Sequence, residues 1–554
     1  MLNSRPGLLA ASLMTCLHLT AVPGPAQVPA HGNRGMVSSA HPIATEAGLE
    51  ILKAGGNAFD ASIAIATTLN VVQPMMSGIG GYGTIITYHA ATKSAQFLNC
   101  SAHIPFGVDS DAYRAPTPNY LENQRGAKAV STPGNVPAWE EMSRRYGSLD
   151  WADLFAPAIT VADDGFVIGE RTSMLISIGW ENFPEHAKVF YGHDDAPLNP
   201  GERLVQTDLA NSLRMIAKGG GRAMRDGSLA MAIDQAMRNA DGFLRLDDLK
   251  RAKGEWWDPI SIDYRGFEVI TASPPATAFP SLIRLGMMSQ FDSRKLGHNS
   301  AAYLHRFAEV TKHAFWCRLR YAGDPDFTPP PLEKLLSKDY WAKQVAKIDL
   351  DRATTFVPPG ENVSRGDMHT THFVVADEMG NVVSATQTLG NLFGSRIMPE
   401  GTGIWLNNSL RYCTFEPAGN PMDAHAGHHK LSGDCPTLIM KDGRPWVAIG
   451  TPGGHTIGQT VPQMVMNIID FGMNVQEAIS APRVSFFEPN GLAVEEGVNE
   501  SVRSALAAMG HQLEIVRGLG NAHGLAIEYD DKGNPVRFTG AADPRGKGVA
   551  KGFD

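Results

Sequence analysis

The chain has 554 residues, of which 43% are hydrophobic and 19% charged, and this ordinary globular composition can bury a large core. Its formal net charge of −9 and its lack of a Lys/Arg run argue against a nucleic-acid partner. Beyond the N-terminus no apolar stretch reaches the ~18 residues of a membrane span, so none is predicted for the mature protein.

The N-terminal residues are typical of a secretory signal peptide. Arg5 supplies a positive charge, residues 7–22 are almost wholly apolar, and Gly24-Pro25-Ala26 offers small residues for cleavage. A membrane anchor is the alternative, but the apolar run is short and its proline-containing exit favours cleavage. We therefore predict a signal peptide over residues 1–26 and a location in the periplasm or outside the cell.

The four cysteines beyond this segment are too few for a disulfide scaffold. Export would permit a bond. Cys413 and Cys435 flank a loop and are the pair best placed to form one, while free buried cysteines fit the sequence at least as well.

Helical patterns dominate the first two-thirds of the chain. Helices are predicted over residues 40–69 with a break at Gly55-Gly56-Asn57, and over residues 149–165, 204–237 and 301–320. Strands are predicted over residues 82–88, 96–99 and 267–270. Residues 351–367 are polar and contain Pro and Gly, which suits an exposed segment.

Strand patterns dominate the last third. Strands are predicted over residues 372–376, 382–388, 438–441, 446–449 and 525–528, with hairpin signals at Gly380-Asn381 and Asp442-Gly443. One helix is predicted over residues 460–470. A helix-rich first part and a strand-rich second part indicate a single woven α+β fold.

The run Met368-His369-Thr370-Thr371-His372 stands between these two parts. Cleavage before Thr370 would create an N-terminus that carries a hydroxyl nucleophile and its own base, the freed α-amine. Because an α-amine has a pKa near ~7.7–8, much of it can be neutral at working pH. A plain threonine-rich strand start is the alternative, and the local pattern alone favours it.

Short motifs surround this run in a specific order and spacing. They are Met36-Val37-Ser38-Ser39-Ala40-His41-Pro42, Gly55-Gly56-Asn57-Ala58-Phe59-Asp60-Ala61, Ser77-Gly78-Ile79-Gly80-Gly81-Tyr82-Gly83, Tyr321-Ala322-Gly323-Asp324-Pro325-Asp326-Phe327, Leu406-Asn407-Asn408, Thr451-Pro452-Gly453-Gly454 and Asp543-Pro544-Arg545. Together they resemble the γ-glutamyltransferase (glutathione hydrolase) family of self-cleaving N-terminal-nucleophile hydrolases, over about residues 35–553.

This resemblance implies a four-layer αββα sandwich formed by two chains from one precursor. Cleavage between His369 and Thr370 would separate a large subunit, residues 27–369, from a small catalytic subunit, residues 370–554. The two subunits would remain together as a heterodimer. Association of two heterodimers into a larger assembly is a further alternative. The resemblance implies a small-molecule amide substrate, with no cofactor and no metal.

The resemblance also assigns the catalytic groups. Thr370 is the nucleophile, and Thr388 matches a second threonine that hydrogen-bonds it. Gly453 and Gly454 match glycines whose backbone N–H groups stabilise the oxyanion, and two glycines let the backbone approach a reacting carbonyl closely. An ordinary strand threonine and a simple Pro-Gly-Gly turn are the alternatives for these positions.

The residues with which the family holds the amino-acid end of a γ-glutamyl group are largely replaced. The candidate acyl-binding residues are Ser101 in place of an arginine, Gly390 in place of an asparagine with Asn391 beside it, Tyr412 in place of an acid and preceded by Arg411, and Ser432-Gly433 in place of a serine pair. Loss of a bidentate arginine removes a strong and directional carboxylate contact. Arg411 is a candidate replacement, and a solvated surface charge is the alternative.

Two further patterns are weaker. Residues 78–83 fit G-x-G-x-x-G, but they follow a helix and open a strand, whereas a dinucleotide loop follows a strand and opens a helix. Asp423, His425, His428 and His429 resemble metal ligands but lie in a Gly/Pro-rich loop without regular spacing. A loop over the active site is the preferred interpretation, and no metal is predicted.

The sequence thus predicts a self-processing amidohydrolase or acyltransferase that cleaves the γ-glutamyl amide bond of glutathione or a related compound. One alternative is an acylase for a non-glutamyl amide, such as a glutaryl or short dicarboxylic amide. The other is a non-enzymatic solute-binding relative, against which Thr370, Thr388 and the Gly453-Gly454 pair argue.

Overall fold

The computed structural model describes residues 28–114, 122–359 and 369–554. Its strands in chain order are β1 (Ala30–Gly32), β2 (Gly35–Ser39), β3 (Tyr82–His89), β4 (Ser94–Asn99), β5 (Phe166–Val167), β6 (Gly192–His193), β7 (Ala196–Pro197), β8 (Arg203–Leu204), β9 (Glu255–Trp257), β10 (Ile260–Tyr264), β11 (Phe267–Thr271), β12 (His369–Asp377), β13 (Val382–Gly390), β14 (Thr437–Lys441), β15 (Arg444–Gly450), β16 (Val484–Phe487), β17 (Gly491–Glu495), β18 (Gln512–Val516), β19 (His523–Tyr529), β20 (Pro535–Ala542) and β21 (Val549–Phe553).

The α-helices of the same residues are α1 (Pro42–Lys53), α2 (Ala58–Val72), α3 (Asn135–Tyr146), α4 (Ala156–Asp164), α5 (Glu170–Trp180), α6 (Glu185–Tyr191), α7 (Thr207–Gly219), α8 (Arg222–Arg225), α9 (Ser228–Asn239), α10 (Leu246–Arg251), α11 (Phe279–Met288), α12 (Ser293–Leu296), α13 (Ala301–Tyr321), α14 (Leu332–Leu335), α15 (Lys338–Val345), α16 (Ile457–Ile469), α17 (Val475–Ser480) and α18 (Glu500–Ala508).

Two seven-stranded sheets form the centre of the fold. Sheet I has the strand order β21-β2-β12-β13-β3-β4-β9, and sheet II has the order β1-β20-β19-β15-β14-β11-β10. Each sheet therefore combines strands from before and after Thr370. Strand β12, which carries Thr370 near its start, is paired antiparallel with β2 on one side and β13 on the other.

The two sheets face each other, and helices cover their outer faces. Strand β12 shows the arrangement: Phe373 and Val375 join the core under α1 and α2, whereas Val374 joins the core between the sheets. A second outer core lies between sheet II and α11, α13 and α16. Because side chains alternate between the faces of a strand, Thr370 shares the inter-sheet face with Val374. The layers are helix, sheet, sheet and helix, so the predicted four-layer αββα sandwich is confirmed.

Most predicted elements are confirmed, with two corrections. The helix predicted over residues 204–237 is wrong as one element: α7 ends at Gly219, Gly220 adopts a positive φ of 62°, and α8 and α9 follow. The glycine run at residues 219–221 supplies the break, because glycine adopts such φ values at no steric cost. The segment predicted over residues 149–165 begins with a 3₁₀ turn, Trp151–Phe155, before α4.

The predicted signal peptide, residues 1–26, lies outside the described residues, as do residues 360–367 of the polar segment before Thr370. Within the described ranges, no helix combines the length and apolar character needed to cross a bilayer. Cys100, Cys317, Cys413 and Cys435 are all buried and free, so the Cys413–Cys435 bond is not formed.

Candidate active site

Thr370 lies near the start of β12, and its side chain is buried against the neighbouring strand. The residue is 5% exposed and stands directly opposite Thr388 of β13. The Thr370 hydroxyl donates a hydrogen bond to Oγ1 of Thr388 over 3.2 Å. The structure therefore brings together the two threonines that the sequence predicted as a pair.

Thr388 also contacts the peptide bond that cleavage would break. Its Oγ1 donates to the carbonyl oxygen of His369 over 2.8 Å and accepts from the backbone N–H of Gly390 over 2.7 Å. The pairing of β12 with β13 is irregular between His369 and Thr370, which turns this carbonyl toward Thr388. The Thr388 hydroxyl thus contacts both the His369 carbonyl and the Thr370 hydroxyl, an arrangement suited to attack by Thr370 on the carbonyl carbon before it.

Replacing Thr388 with Ala should therefore slow both self-cleavage and turnover. Orienting and proton-transfer contributions are typically of order ~10²–10⁴-fold. Thr388→Ser, which keeps the hydroxyl, is the matched control and should lose much less. The checks are the rate at which the two chains appear on a denaturing gel and kcat for amide hydrolysis by fully cleaved protein. A cleaved Thr388→Ala protein that turns over at the wild-type rate would leave Thr388 as an ordinary strand residue.

The turn after β15 reaches the same region from sheet II. Gly450, the last residue of β15, lies against the ring of His372, which shares the inter-sheet face of β12 with Thr370. Gly453 and Gly454 follow with φ of 134° and 57°, values that side-chain-bearing residues rarely adopt. Neither backbone N–H donates to another group of the described residues. The turn thus offers two backbone N–H donors, those of Gly453 and Gly454, close to strand β12.

An ion-pair network supports this turn and explains the Asp543-Pro544-Arg545 motif. Burial alone would raise the pKa of Asp543, but the charges of Arg483 and Arg545 hold it below its ordinary value. Asp543 accepts from Arg483 over 2.8 Å and from the backbone N–H of Ala522 over 2.8 Å. Next to Ala522, the N–H of Asn521 donates to the Thr451 hydroxyl over 3.1 Å. The network therefore fixes the backbone that packs on the start of the glycine turn.

The candidate acyl-binding residues gather around two tyrosines. Gly433 lies against the ring of Tyr412, since a Cβ at Gly433 would meet Cε1 of that ring at 3.3 Å. Tyr412 meets the ring of Tyr82 edge to face, with centroids 6.4 Å apart. Arg411 is only 3% exposed, and its charge opposes the rise that burial causes in the pKa of Tyr412. The alternative of a solvated surface arginine is therefore wrong.

Gly390 and Asn391 lie beside the threonine pair. Gly390 has a φ of 99°, and any Cβ there would clash with Oδ1 of Asn408. The backbone at this position thus demands glycine, which explains why no asparagine stands there. Asn408 Oδ1 instead accepts from the N–H of Asn391 over 2.9 Å. The side-chain oxygen of Asn391 is buried and has no partner among the described residues.

Ser432 is engaged in a buried hydrogen-bond group. Its hydroxyl donates to Oδ2 of Asp434 over 2.8 Å and lies 3.1 Å from the hydroxyl of Thr84. Burial raises the pKa of Asp434 to about 6, against the opposing effects of the Ser432 hydroxyl and Lys430. Ser101, 1% exposed, follows β4, and its N–H donates to Asn99 over 2.9 Å.

Sequence reasoning missed Tyr82, Lys430 and Asp434. The signal was present in Lys430 and Asp434, two charged residues that bracket the short segment Leu431-Ser432-Gly433 of the predicted acyl pocket. Both are at most 1% exposed. Tyr82 gave no such signal, because an aromatic residue opening a strand is commonplace.

The histidine-containing loop is held by charge pairs. His429 donates toward Glu255 over 2.9 Å and toward Asp324 over 3.2 Å. Burial opposes its charged form, but these two carboxylates raise the pKa of His429 to about 9. His428 stacks on Phe327, and Asp423 pairs with Arg114. These pairings anchor the loop to the first part of the chain and agree with a structural role.

Comparison with known proteins matches the chain to one family. The sequence profile described as Gamma-glutamyltranspeptidase matches residues 44–553, most of the chain. The chain belongs to the gamma-glutamyltranspeptidase family. Family membership confirms the resemblance seen in the motifs, and the chain is an enzyme of this N-terminal-nucleophile type.

Two kinds of family member are similar to the chain. The glutathione hydrolase proenzyme of Escherichia coli (strain K12) is 34% identical over 539 residues, covering 93% of this chain and 91% of the relative. The acylase ACY 1 proenzyme of Pseudomonas sp. (strain V22) is 36% identical, covering 94% of each. Among solved structures, the cephalosporin acylase from Bacillus halodurans superposes with a TM-score of 0.88 at 27% identity, covering 97% of this chain and 99% of that one.

Proposed function

We propose that this gamma-glutamyltranspeptidase family member is a self-processing threonine amidohydrolase or acyltransferase. Its reaction is cleavage of the γ-glutamyl amide bond of glutathione or a related compound through an acyl-Thr370 ester. The observation that carries the proposal is the hydrogen-bond chain from Thr370 through Thr388 to the carbonyl of His369. The Thr370 hydroxyl lies next to the peptide bond whose cleavage would free the Thr370 amine, which supports this assignment.

Processing starts in the intact chain. The Thr370 hydroxyl adds to the His369 carbonyl carbon, the C–N bond breaks as the nitrogen takes the hydroxyl proton, and an ester joins the two halves. Water then hydrolyses this ester and leaves residues 27–369 and 370–554 as two subunits. Because each sheet contains strands from both subunits, the cleaved chains stay together as a heterodimer. Removal of residues 1–26 would accompany export to the periplasm or the medium.

Turnover repeats this chemistry on a substrate amide. The freed α-amine of Thr370, with a pKa near ~7.7–8, accepts the hydroxyl proton directly or through a water and passes it to the leaving amine as the substrate C–N bond breaks. The N–H groups of Gly453 and Gly454 stabilise the oxyanion, for which two uncommitted donors are suited. Water or an acceptor amine then takes the acyl group from Thr370, giving hydrolysis or transfer.

A second candidate is an acylase for a glutaryl or short dicarboxylic amide. A specific observation favours it: Tyr412 and Gly433 stand where the family resemblance expects an acid and a serine, and the structure packs them against each other. Neither offers a negative charge for an α-amine. The acylase names of two similar proteins agree with this candidate.

Trapping the acyl-enzyme tests the common mechanism. Cleaved protein is mixed with γ-glutamyl- and glutaryl-p-nitroanilide and quenched in acid. We expect nitroaniline release and an ester on the peptide that begins at Thr370, located by mass spectrometry. Cleaved protein that hydrolyses neither anilide, or that carries the acyl group on another residue, would refute the proposed function.

A further inference from the structure

Lys430 is a buried amine with no hydrogen bond and no ion pair among the described residues. The residue is 1% exposed, and its ammonium stands 2.8 Å from the centroid of the Tyr82 ring. Among the described residues Nζ has no hydrogen-bond partner and forms no ion pair. An aromatic face attracts an ammonium, but it supplies no hydrogen-bond acceptor of carboxylate strength. All three N–H donors of Lys430 are thus left for another group.

Lys430 lies over the ring of Tyr82, and Tyr82 projects from the same face of sheet I as Thr370. Tyr82 of β3 is directly opposite Thr388 of β13, which is directly opposite Thr370 of β12. Residues opposite one another in a sheet project to the same side, and adjacent strands lie ~4.8 Å apart. The Cα atoms of Thr370 and Tyr82 are therefore roughly 10 Å apart. An acyl chain of five carbons reaches roughly 5 Å from its carbonyl at about 1.5 Å per bond, toward the Tyr82 ring.

The nearby acid, Asp434, forms no direct ion pair with Lys430. Asp434 directs Oδ2 to the hydroxyls of Ser432 and Thr84 and forms no salt bridge with the ammonium. Burial lowers the pKa of Lys430, and the Asp434 charge only partly opposes this shift. A buried ammonium without a partner is costly, so an incoming carboxylate that supplies the missing counter-charge would stabilise the charged form of Lys430. Arg411 adds a second buried positive charge beside Tyr82 and Tyr412.

We propose that Lys430 is a specificity-determining residue that binds the carboxylate at the far end of the acyl group. It would take the place of the arginine that the family resemblance expects where Ser101 stands. Tyr82 holds the ammonium through its ring while the N–H groups donate to the substrate carboxylate. The substrate class is the monoamide of a dicarboxylic acid of about five carbons. This inference rests on the proposed function, since it requires an acyl group on Thr370.

The test compares glutaryl-p-nitroanilide with pentanoyl-p-nitroanilide, which has the same chain length and no carboxylate. Lys430→Met keeps the unbranched chain, one atom shorter, and removes the amine. We expect its kcat/KM for the glutaryl anilide to fall roughly 10- to 150-fold, mainly through KM, because a hydrogen bond to a charged group is lost. The pentanoyl anilide should change less than threefold. Lys441→Met is the matched control, because Lys441 also lies over an aromatic ring, that of Trp446, but is exposed.

Equal losses on both anilides in Lys430→Met would make Lys430 a structural residue and overturn the inference. A second measurement uses wild-type protein alone and tests the inference even where Lys430→Met fails to fold or to cleave itself. It should prefer the glutaryl to the pentanoyl anilide, and glutarate should compete where pentanoate does not. Absence of both effects would also refute the inference. Failure of the proposed function has a different signature, because neither anilide would then be hydrolysed and no ester would form on Thr370.

Discussion

Thr370→Ala is expected to yield a single uncut chain without amidase activity. The variant has no hydroxyl to add to the carbonyl of His369, so the ester that precedes cleavage cannot form. Loss of a catalytic nucleophile costs on the order of 10⁶-fold in kcat. Wild-type protein should separate on a denaturing gel into two chains, and N-terminal sequencing should place their starts near Gln27 and at Thr370.

Thr371→Ala is the matched control for this experiment. Thr371 is the next residue of the same strand, but its side chain faces the other side of sheet I and donates to Gln73 over 3.3 Å. We expect this variant to be cleaved and active, because no step uses that hydroxyl. An uncut wild-type chain with full amidase activity would contradict the assignment of Thr370, and so would a Thr371→Ala protein that alone remains uncut.

Cleaved protein is expected to favour glutaryl-p-nitroanilide over γ-glutamyl-p-nitroanilide. The two substrates differ by the α-amine, which as an ammonium needs an acceptor or a negative charge. Burial raises the pKa of Tyr412 to about 12, so this residue presents a neutral phenol. Neither Arg411 nor Lys430, both buried, offers the negative charge that the ammonium needs. Each lost charge-assisted hydrogen bond is worth roughly 1.5–3 kcal/mol, and two of them correspond to about 10²–10⁴-fold.

The measurement is kcat/KM for the two anilides on one cleaved preparation. Using one preparation cancels differences in the fraction of processed enzyme. A hundredfold or greater preference for the glutamyl compound would show that other groups have rebuilt the contact to the α-amine. Asp434 would then be the first residue to replace, since its Oδ1 is buried and has no partner among the described residues.

The sequence by itself determined the family and most of the elements, and it predicts the cleavage point. Strand and helix patterns reflect which side chains are buried, a local property that repeats along the chain every two or 3.6 residues. The order of short motifs around Thr370 was enough to predict the four-layer fold and the pair formed with Thr388. The glycine run at residues 219–221 could have divided the overlong helix, because its conformational effect is also local.

Only the tertiary structure decided which side chains lie together around the candidate site. The contact of Thr388 with the His369 carbonyl depends on an irregular strand pairing, and the burial of Arg411 depends on segments far away in the chain. The sequence marks Lys430 only as a charged residue beside the predicted acyl segment, and its position over Tyr82, about 350 residues earlier, comes from the packing. Charge and burial at such a site follow from how sheets and loops pack together. That packing joins residues with no regular spacing, so no local pattern in the sequence reports it.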